Sequence, residues 1–468
     1  MKILLIDPPW YSLQGTSNSP VPLGLGYLGT CLIKAGHKCL IFSGEIGIAK
    51  GIIPQKTVIN ENLLDISKNK YWNIFLEKLI LIINKYSPEL IGISVPTAKY
   101  RIANSIAREI KKRFPDIFIA VGGPHPTILP KETLMNKDID FVIRGEGEIT
   151  IVELVKALEE KKALSKVDGL SYKKNKKLIH NRERKFIENL DTLLFPDWEI
   201  LYGYKKMHKN TFGSMISSRG CPYQCIFCAS KKIWSTRVRF RSPENLFQEL
   251  EEKNEKYGTD LFTFNDDSFT LKKERVIKLC ELILKSRLKI SWKCDTRVNL
   301  IDYKLLKMMK KAGCVQINMG IECGNEKMLK YIKKGIDIPS IIKAFEIAHK
   351  VGIETLAYFM TGFPEETKKD LADTVKLMMK VKPSHPCWSI ATPYPGTELY
   401  DLCKKEGLIK EKNWEKYHHH SDSMGFSKYM DEEYFKNEIK KIERKSFMIK
   451  VKYYLTHLNR LFKELRLI

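Results

Sequence analysis

Three cysteines, Cys221, Cys225 and Cys228, lie within the run Arg219-Gly-Cys-Pro-Tyr-Gln-Cys-Ile-Phe-Cys-Ala-Ser230. Their thiolates suit iron better than zinc. Iron-sulfur clusters are held by cysteine sulfur, commonly four to a cluster, so a compact trio without a nearby fourth leaves one iron of a cubane open to another ligand. A closed zinc site needs four protein ligands, and no His or Cys follows at a suitable spacing. The plainer alternatives are a zinc knuckle or three unrelated core cysteines.

Such a loop must be carried by a framework. From Ser214 the sequence reads as strands at 215–217, 261–264, 290–292, 315–319, 355–360 and 387–390, separated by helical pattern. Six such units predict a barrel that stays open on one side, with reactive groups at the carboxyl ends of its strands. The cysteine loop follows the first strand. Later strand ends carry Asn265-Asp-Asp-Ser-Phe269, Asp295-Thr-Arg297, Gly320-Ile-Glu322, Thr361-Gly-Phe-Pro-Glu-Glu-Thr367 and Pro393-Tyr-Pro-Gly-Thr397. Asp266 or Asp267 could equally cap the next helix, and Arg297 could form a surface ion pair.

Upstream, residues 2–162 alternate β-branched runs (3–6, 39–42, 90–95, 118–121 and 141–143) with amphipathic helical spacing. This order predicts an open, mainly parallel α/β sheet that binds a ligand at the carboxyl ends of its strands. The loops there are Pro22-Leu-Gly-Leu-Gly-Tyr-Leu28, Ser94-Val-Pro-Thr97, Gly122-Gly-Pro-His-Pro-Thr127 and Arg144-Gly-Glu-Gly-Glu148. Glycines at such ends either turn the chain or admit a large ligand close to the backbone. Residues 163–208 read as a charged connector with a hairpin near 170–179, residues 209–405 as the partial barrel, and residues 406–468 as a helical extension.

The C-x3-C-x2-C spacing resembles the radical S-adenosylmethionine (SAM) superfamily. With the upstream α/β region, nearly the whole chain resembles the cobalamin-dependent radical SAM enzymes, a group that includes the anaerobic magnesium-protoporphyrin monomethyl ester cyclase. The resemblance implies a Rossmann-like cobalamin domain, a partial (β/α)6 radical SAM barrel, and three cofactors: a 4Fe-4S cluster on Cys221, Cys225 and Cys228, SAM, and cobalamin. It places Tyr223, Phe227, Arg297, Glu322 and Gly362 beside SAM, with Phe227 against the adenine. It places Gly24, Gly26, Ser94, Thr97, Gly122, Gly123, His125, Gly145, Glu146 and Gly147 beside cobalamin.

Two departures stand out. No histidine follows Asp in an Asp-x-His-x-x-Gly pattern, so a protein bond to cobalt is not expected; for His125, loop packing is the ordinary reading and cobalt ligation the minority one. Where the family reads Gly-x-Pro-Gly-Glu-Thr, this chain has Gly362-Phe-Pro-Glu-Glu-Thr367, with Glu365 in place of glycine.

By the same resemblance, one SAM methylates the corrin. A second yields a 5′-deoxyadenosyl radical that removes hydrogen from an unactivated carbon, and that carbon takes the methyl group. A methyltransferase is therefore expected, fed by a reductant such as ferredoxin or flavodoxin. The alternatives are a radical cyclase or carbon–carbon bond-forming enzyme on a lipid or tetrapyrrole, a tRNA methylthiotransferase, and a non-catalytic cobalamin or iron-sulfur sensor. The methylthiotransferase pattern has three further N-terminal cysteines, against Cys31 and Cys39 here.

Composition bounds the setting. In 468 residues, 80 Lys and Arg against 55 Asp and Glu give a net charge of +25, which favours anionic partners or reflects lysines spread over solvated helix faces. No arginine-rich tail or RNA-binding signature accompanies it, so no nucleic-acid partner is expected. The other eight cysteines form no disulfide framework, which fits a reduced, cytoplasmic protein. No stretch is apolar enough to cross a bilayer. His418-His-His420 points three ways on a helix and makes no metal site. The basic, apolar segment 451–468 either packs on the barrel or rests peripherally on a membrane.

Overall fold

The computed structural model describes residues 1–14, 21–46, 66, 69–409, 414 and 425–457. The histidine run at 418–420 and most of the terminal segment lie outside them.

Largely apolar runs of three to six residues build the first sheet. Strands β1 (Lys2–Asp7), β2 (Lys38–Ser43), β3 (Leu90–Ser94), β4 (Phe118–Gly122) and β5 (Phe141–Ile143) pair in parallel in the order β2-β1-β3-β4-β5. Helices cover both faces, so the central strands are buried on both sides and carry little alternation. Strand order reverses at β1, which opens the crevice between β1 and β3 at their carboxyl ends.

The stretch expected as a connector extends this sheet. Strands β6 (Leu170–Lys174) and β7 (Lys177–His180) form the hairpin and add antiparallel to β5. Beyond it, Trp198 is fully buried in the same core, so most of this segment belongs structurally to the first sheet.

The second sheet starts at β8 (Ser214–Met215). A two-residue ribbon follows, β9 (Ser218–Arg219) with β10 (Arg239–Phe240), and then β11 (Leu261–Phe264), β12 (Ser291–Thr296), β13 (Cys314–Glu322), β14 (Glu354–Thr361) and β15 (His385–Ile390). The six long-sheet strands are parallel in the order β15-β14-β13-β12-β11-β8, open between β15 and β8. This is the partial barrel. Alternation along β12, β14 and β15 sends one set of side chains into the helix-covered core and the other toward the lumen.

The C-terminal helix Glu432–Thr456 packs on β15 and buries Phe435, Ile439 and Ile442 in the barrel's core. Its last turns divide: Tyr453 and Tyr454 contact His385 of β15, while Phe447, Met448 and Leu455 are 66 %, 69 % and 67 % exposed. Among the described residues no helix is long and apolar enough to cross a membrane.

Candidate active site

The carboxyl ends of the two sheets face each other. After β5, Glu146 and Glu148 meet Arg219 of β9, which immediately precedes the cysteine loop. After β4, Ile128 abuts Gly396 in the loop after β15, where an added Cβ would lie 3.0 Å from Ile128. Loops expected to hold corrin and loops expected to hold cluster and SAM therefore line one interface.

The cysteine loop is fixed at both ends. Gly220 has φ +103°, and a Cβ there would stand 2.4 Å from the Arg237 carbonyl, so only glycine fits the residue before Cys221. Asp266 accepts from the Ser217 amide at 3.0 Å and the Ser218 hydroxyl at 2.6 Å, three residues and more ahead of the first cysteine. Asp267 accepts from the Ser230 hydroxyl, two residues past the last. Neither aspartate caps a helix. Burial raises both carboxyls above their ordinary value.

All eleven cysteines are free thiols. Burial pushes the Cys228 thiol up to about 11 and raises Cys221 as well, so metal loading must displace protons. Among the described residues, no three His, Cys, Asp or Glu side chains close around a point that a single ion could fill. The donor set fits a larger soft centre: three thiols in one rigid loop, with the Ser230 amide 3.5 Å from Cys228 Sγ and the Arg297 guanidinium 4.0 Å from Cys225 Sγ. Donors to cluster sulfurs of this kind tune potential.

Four of the residues expected beside SAM come together around a fifth that sequence reasoning missed. Arg297 lies 3.5 Å above the Tyr223 ring and donates to the Lys334 carbonyl. Lys334 Nζ donates to Glu322 Oε1 at 2.7 Å, both side chains buried, and lies 6.0 Å from the Phe227 ring. A Cβ at Gly320 would meet Glu322 at 2.4 Å and Lys334 at 2.6 Å, so that glycine makes room for the pair. In sequence Lys334 sits in Ile332-Lys-Lys-Gly335 and looks like any solvated lysine.

Gly362 is bound elsewhere. Its amide donates to buried Glu366, its carbonyl accepts from the Phe426 amide at 2.9 Å, and its α-carbon faces Gly425 and Phe435. Its loop is thus clamped by the segment after the barrel. Glu365, the departure from the family pattern, points outward to Lys428 and Tyr429.

The cobalamin loops divide likewise. Gly24 and Gly145 present open space where a Cβ would stand, Ser94 and Gly122 end β3 and β4, and Gly123 (φ +109°) packs on the Val95 backbone. Thr97 is buried at the start of the turn that follows β3. Three more of these residues make close contacts within the protein. Gly26 faces the Trp198 ring, which a Cβ would approach to 2.7 Å, so it serves helix packing; Gly147 similarly meets Leu28. Glu146, its side chain 1 % exposed, pairs with Arg219 at 2.7 Å and Arg239 at 2.9 Å. His125 is 0 % exposed, its ring 4.1 Å from Tyr100 and 5.6 Å from Trp414, and burial lowers its pKa to about 4. Its ring is packed between these two aromatic side chains.

The crevice between β1 and β3 holds a further unforeseen group: Lys99 donates to Asp7 at 2.8 Å and pairs with Glu45 at 3.1 Å. Asp7 ends β1, Glu45 follows β2 and Lys99 follows β3, with no sequence pattern linking them.

Residues 17–155 match the model of the B12 binding domain and residues 215–378 that of the radical SAM superfamily. An uncharacterized methyltransferase of Pyrococcus horikoshii is 36 % identical over 423 residues, covering 89 % of this chain and 86 % of its own. The anaerobic magnesium-protoporphyrin IX monomethyl ester cyclase of Synechocystis is 28 % identical, with 89 % and 81 % covered. In architecture the chain resembles the radical SAM methyltransferase TsrM from Kitasatospora setae, solved with cobalamin and a [4Fe-4S] cluster (TM-score 0.67, 17 % identity, 87 % of this chain and 75 % of that one). Fold, site and relatives together define a radical SAM enzyme joined to a B12 domain. This chain belongs to the cobalamin-dependent radical SAM family, with a 4Fe-4S cluster, SAM and cobalamin as cofactors and methyl transfer as its reaction class.

Proposed function

We propose that this enzyme methylates an unactivated carbon of a small or lipid-like substrate held between the two sheets. The observation that carries the reading is the opposition of the two loop sets, joined by the buried Arg219–Glu146 pair. When bound, SAM at the cluster supplies an alkyl radical and the corrin a transferable methyl group. The chain's own part is to bind, orient and exclude water. In this reading Cys221, Cys225 and Cys228 hold the cluster, Lys334 and Glu322 orient the charged groups of SAM, Arg297 pairs with its carboxylate, and Tyr223 and Phe227 border it. Gly24, Ser94, Gly122, Gly123 and Gly145 form the corrin-facing loops.

Three finer proposals accompany it. A small carrier such as ferredoxin or flavodoxin supplies electrons. The exposed Phe447, Met448 and Leu455, interspersed with Lys445, Lys450 and Lys452, support peripheral contact with a lipid surface. Free thiols throughout support a reducing, cytoplasmic setting.

The test uses protein reconstituted anaerobically with iron, sulfide and cobalamin, given methyl-deuterated SAM, a strong reductant and candidate lipids or tetrapyrroles. The proposal expects deuterated methyl in product. Product formed without label would instead favour ring closure, the reaction named for the Synechocystis relative.

A further inference from the structure

A cavity of about 1210 Å³ opens at the base of the partial barrel. Its walls include Leu261, Ser291 and Glu354, the first residues of β11, β12 and β14. The cysteine loop and the Arg297–Lys334–Glu322 cluster stand at the other end of these strands, so neither SAM nor corrin accounts for this space.

Its chemistry is lopsided. Arg287, Lys289, Lys293 and Lys311 line it, and among the described residues none of these four side chains has an ion-pair or hydrogen-bond partner. Both acids in the wall are already engaged: Asp260 pairs with Lys209, and Glu354 lies 3.2 Å from His385 Nε2. Lys293 is half-buried in β12, on the lumen side of the strand. Four uncompensated cations around one concavity repel each other, and a bound anion with several charges relieves that repulsion.

We infer that this cavity binds a phosphorylated small molecule, at a site separate from the catalytic one. Clustered phosphate oxygens suit a guanidinium fork beside several ammonium groups better than a single carboxylate does. Leu261, Leu288 and Ile290 give the same cavity an apolar wall, which accommodates an organic body attached to the phosphates. Arg287, Lys289 and Lys311 stand exposed at its rim, and a part-apolar concavity on this scale suits a small molecule, whereas a protein carrier would need a broader face. The inference does not draw on the methyl-transfer reading.

Isothermal titration of the reconstituted holoenzyme at physiological salt, with inorganic pyrophosphate, ATP and geranyl diphosphate in turn, tests it. At least one probe should saturate at one per chain. Tighter binding of ATP or geranyl diphosphate than of pyrophosphate would show that the apolar wall contributes and which organic body it prefers. The K289A/K293M/K311A variant should weaken binding by roughly tenfold or more, and a charge-matched K112A/K174A/K177A control should not. In a second readout, the tightest probe should protect Lys289 and Lys311 from amine acylation. No saturable binding, equal loss in the control, or protection by flavodoxin alone would each overturn the assignment, the last by making this a protein-docking face.

Discussion

Arg219 reaches from the strand before the cluster loop to Glu146 in the loop after β5, Nη1 to Oε1 at 2.7 Å, with side-chain exposures of 4 % and 1 %. Its second nitrogen donates to Glu148. Burial alone would make Arg219 easier to deprotonate, but Glu148 and Glu146 more than offset it and hold the guanidinium firmly charged. The Tyr27 and Trp234 rings lie 5.6 and 5.2 Å from its centre.

Removing one partner of so buried a pair strands the other. Arg219→Ala is expected to lower unfolding free energy by roughly 3–5 kcal/mol and to weaken cobalamin retention, because the loops of both sheets lose their common anchor. A double-mutant cycle with Glu146→Gln, followed by urea unfolding, should give strong coupling. Additive effects would mean that the two loops are held independently.

Gly220→Ala places a side chain against the Arg237 carbonyl at φ +103°. Backbone strain alone costs about 1–3 kcal/mol, and the loop must shift to relieve the contact. Iron content after anaerobic reconstitution should fall sharply while the folding of the N-terminal sheet, followed by cobalamin binding, persists.

Lys334→Met removes the buried partner of Glu322. SAM affinity should fall roughly 10- to 100-fold, with iron content unchanged, and Lys334→Arg should recover part of the loss. Equilibrium binding of SAM to the reconstituted protein checks this.

Much of this arrangement was legible in the chain. Strand runs such as Ile3–Ile6 and Phe141–Ile143 are apolar and bounded by turn residues, and the cysteine spacing marks its own loop. The partners of those loops were not legible. Arg219–Glu146 spans 73 residues, and nothing local distinguishes a glutamate that faces a cofactor from one that faces a buried arginine. Gly26 shows the same limit: it lies in the helix Leu23–Lys34 against the Trp198 ring, and the sequence does not tell a glycine that admits a ligand from one that admits a neighbouring side chain. Lys334 lay hidden in a lysine-rich background. The hairpin at 170–179 was visible, but its addition to β5 depends on an edge that only the assembled sheet supplies.

Glu366 gives the fold a pH signature. Burial raises its carboxyl to about 7, against the pull of hydrogen bonds from Gly362 and Thr361. Between the unfolded carboxyl value near 4.5 and pH 7, the folded protein holds a proton that the unfolded chain has lost. Its stabilising effect is therefore complete at the acid end of that window, declines as pH rises through it, and is gone above it. Glu366→Gln stays neutral throughout, so its stability relative to wild type should improve by about 3 kcal/mol between pH 5 and pH 8. Urea unfolding of the metal-free protein at both pH values measures the difference.

The central claim is that three cysteines leave one iron to SAM at an interface shared with the corrin. Electron–nuclear double resonance on the reduced, cobalamin-loaded protein, with SAM carrying a heavy nitrogen isotope in its methionyl amine, addresses it directly. The account predicts a strong nitrogen hyperfine coupling to the cluster, lost when any of Cys221, Cys225 or Cys228 is replaced by alanine. A fully assembled 4Fe-4S cluster whose spectrum ignores added SAM would contradict it.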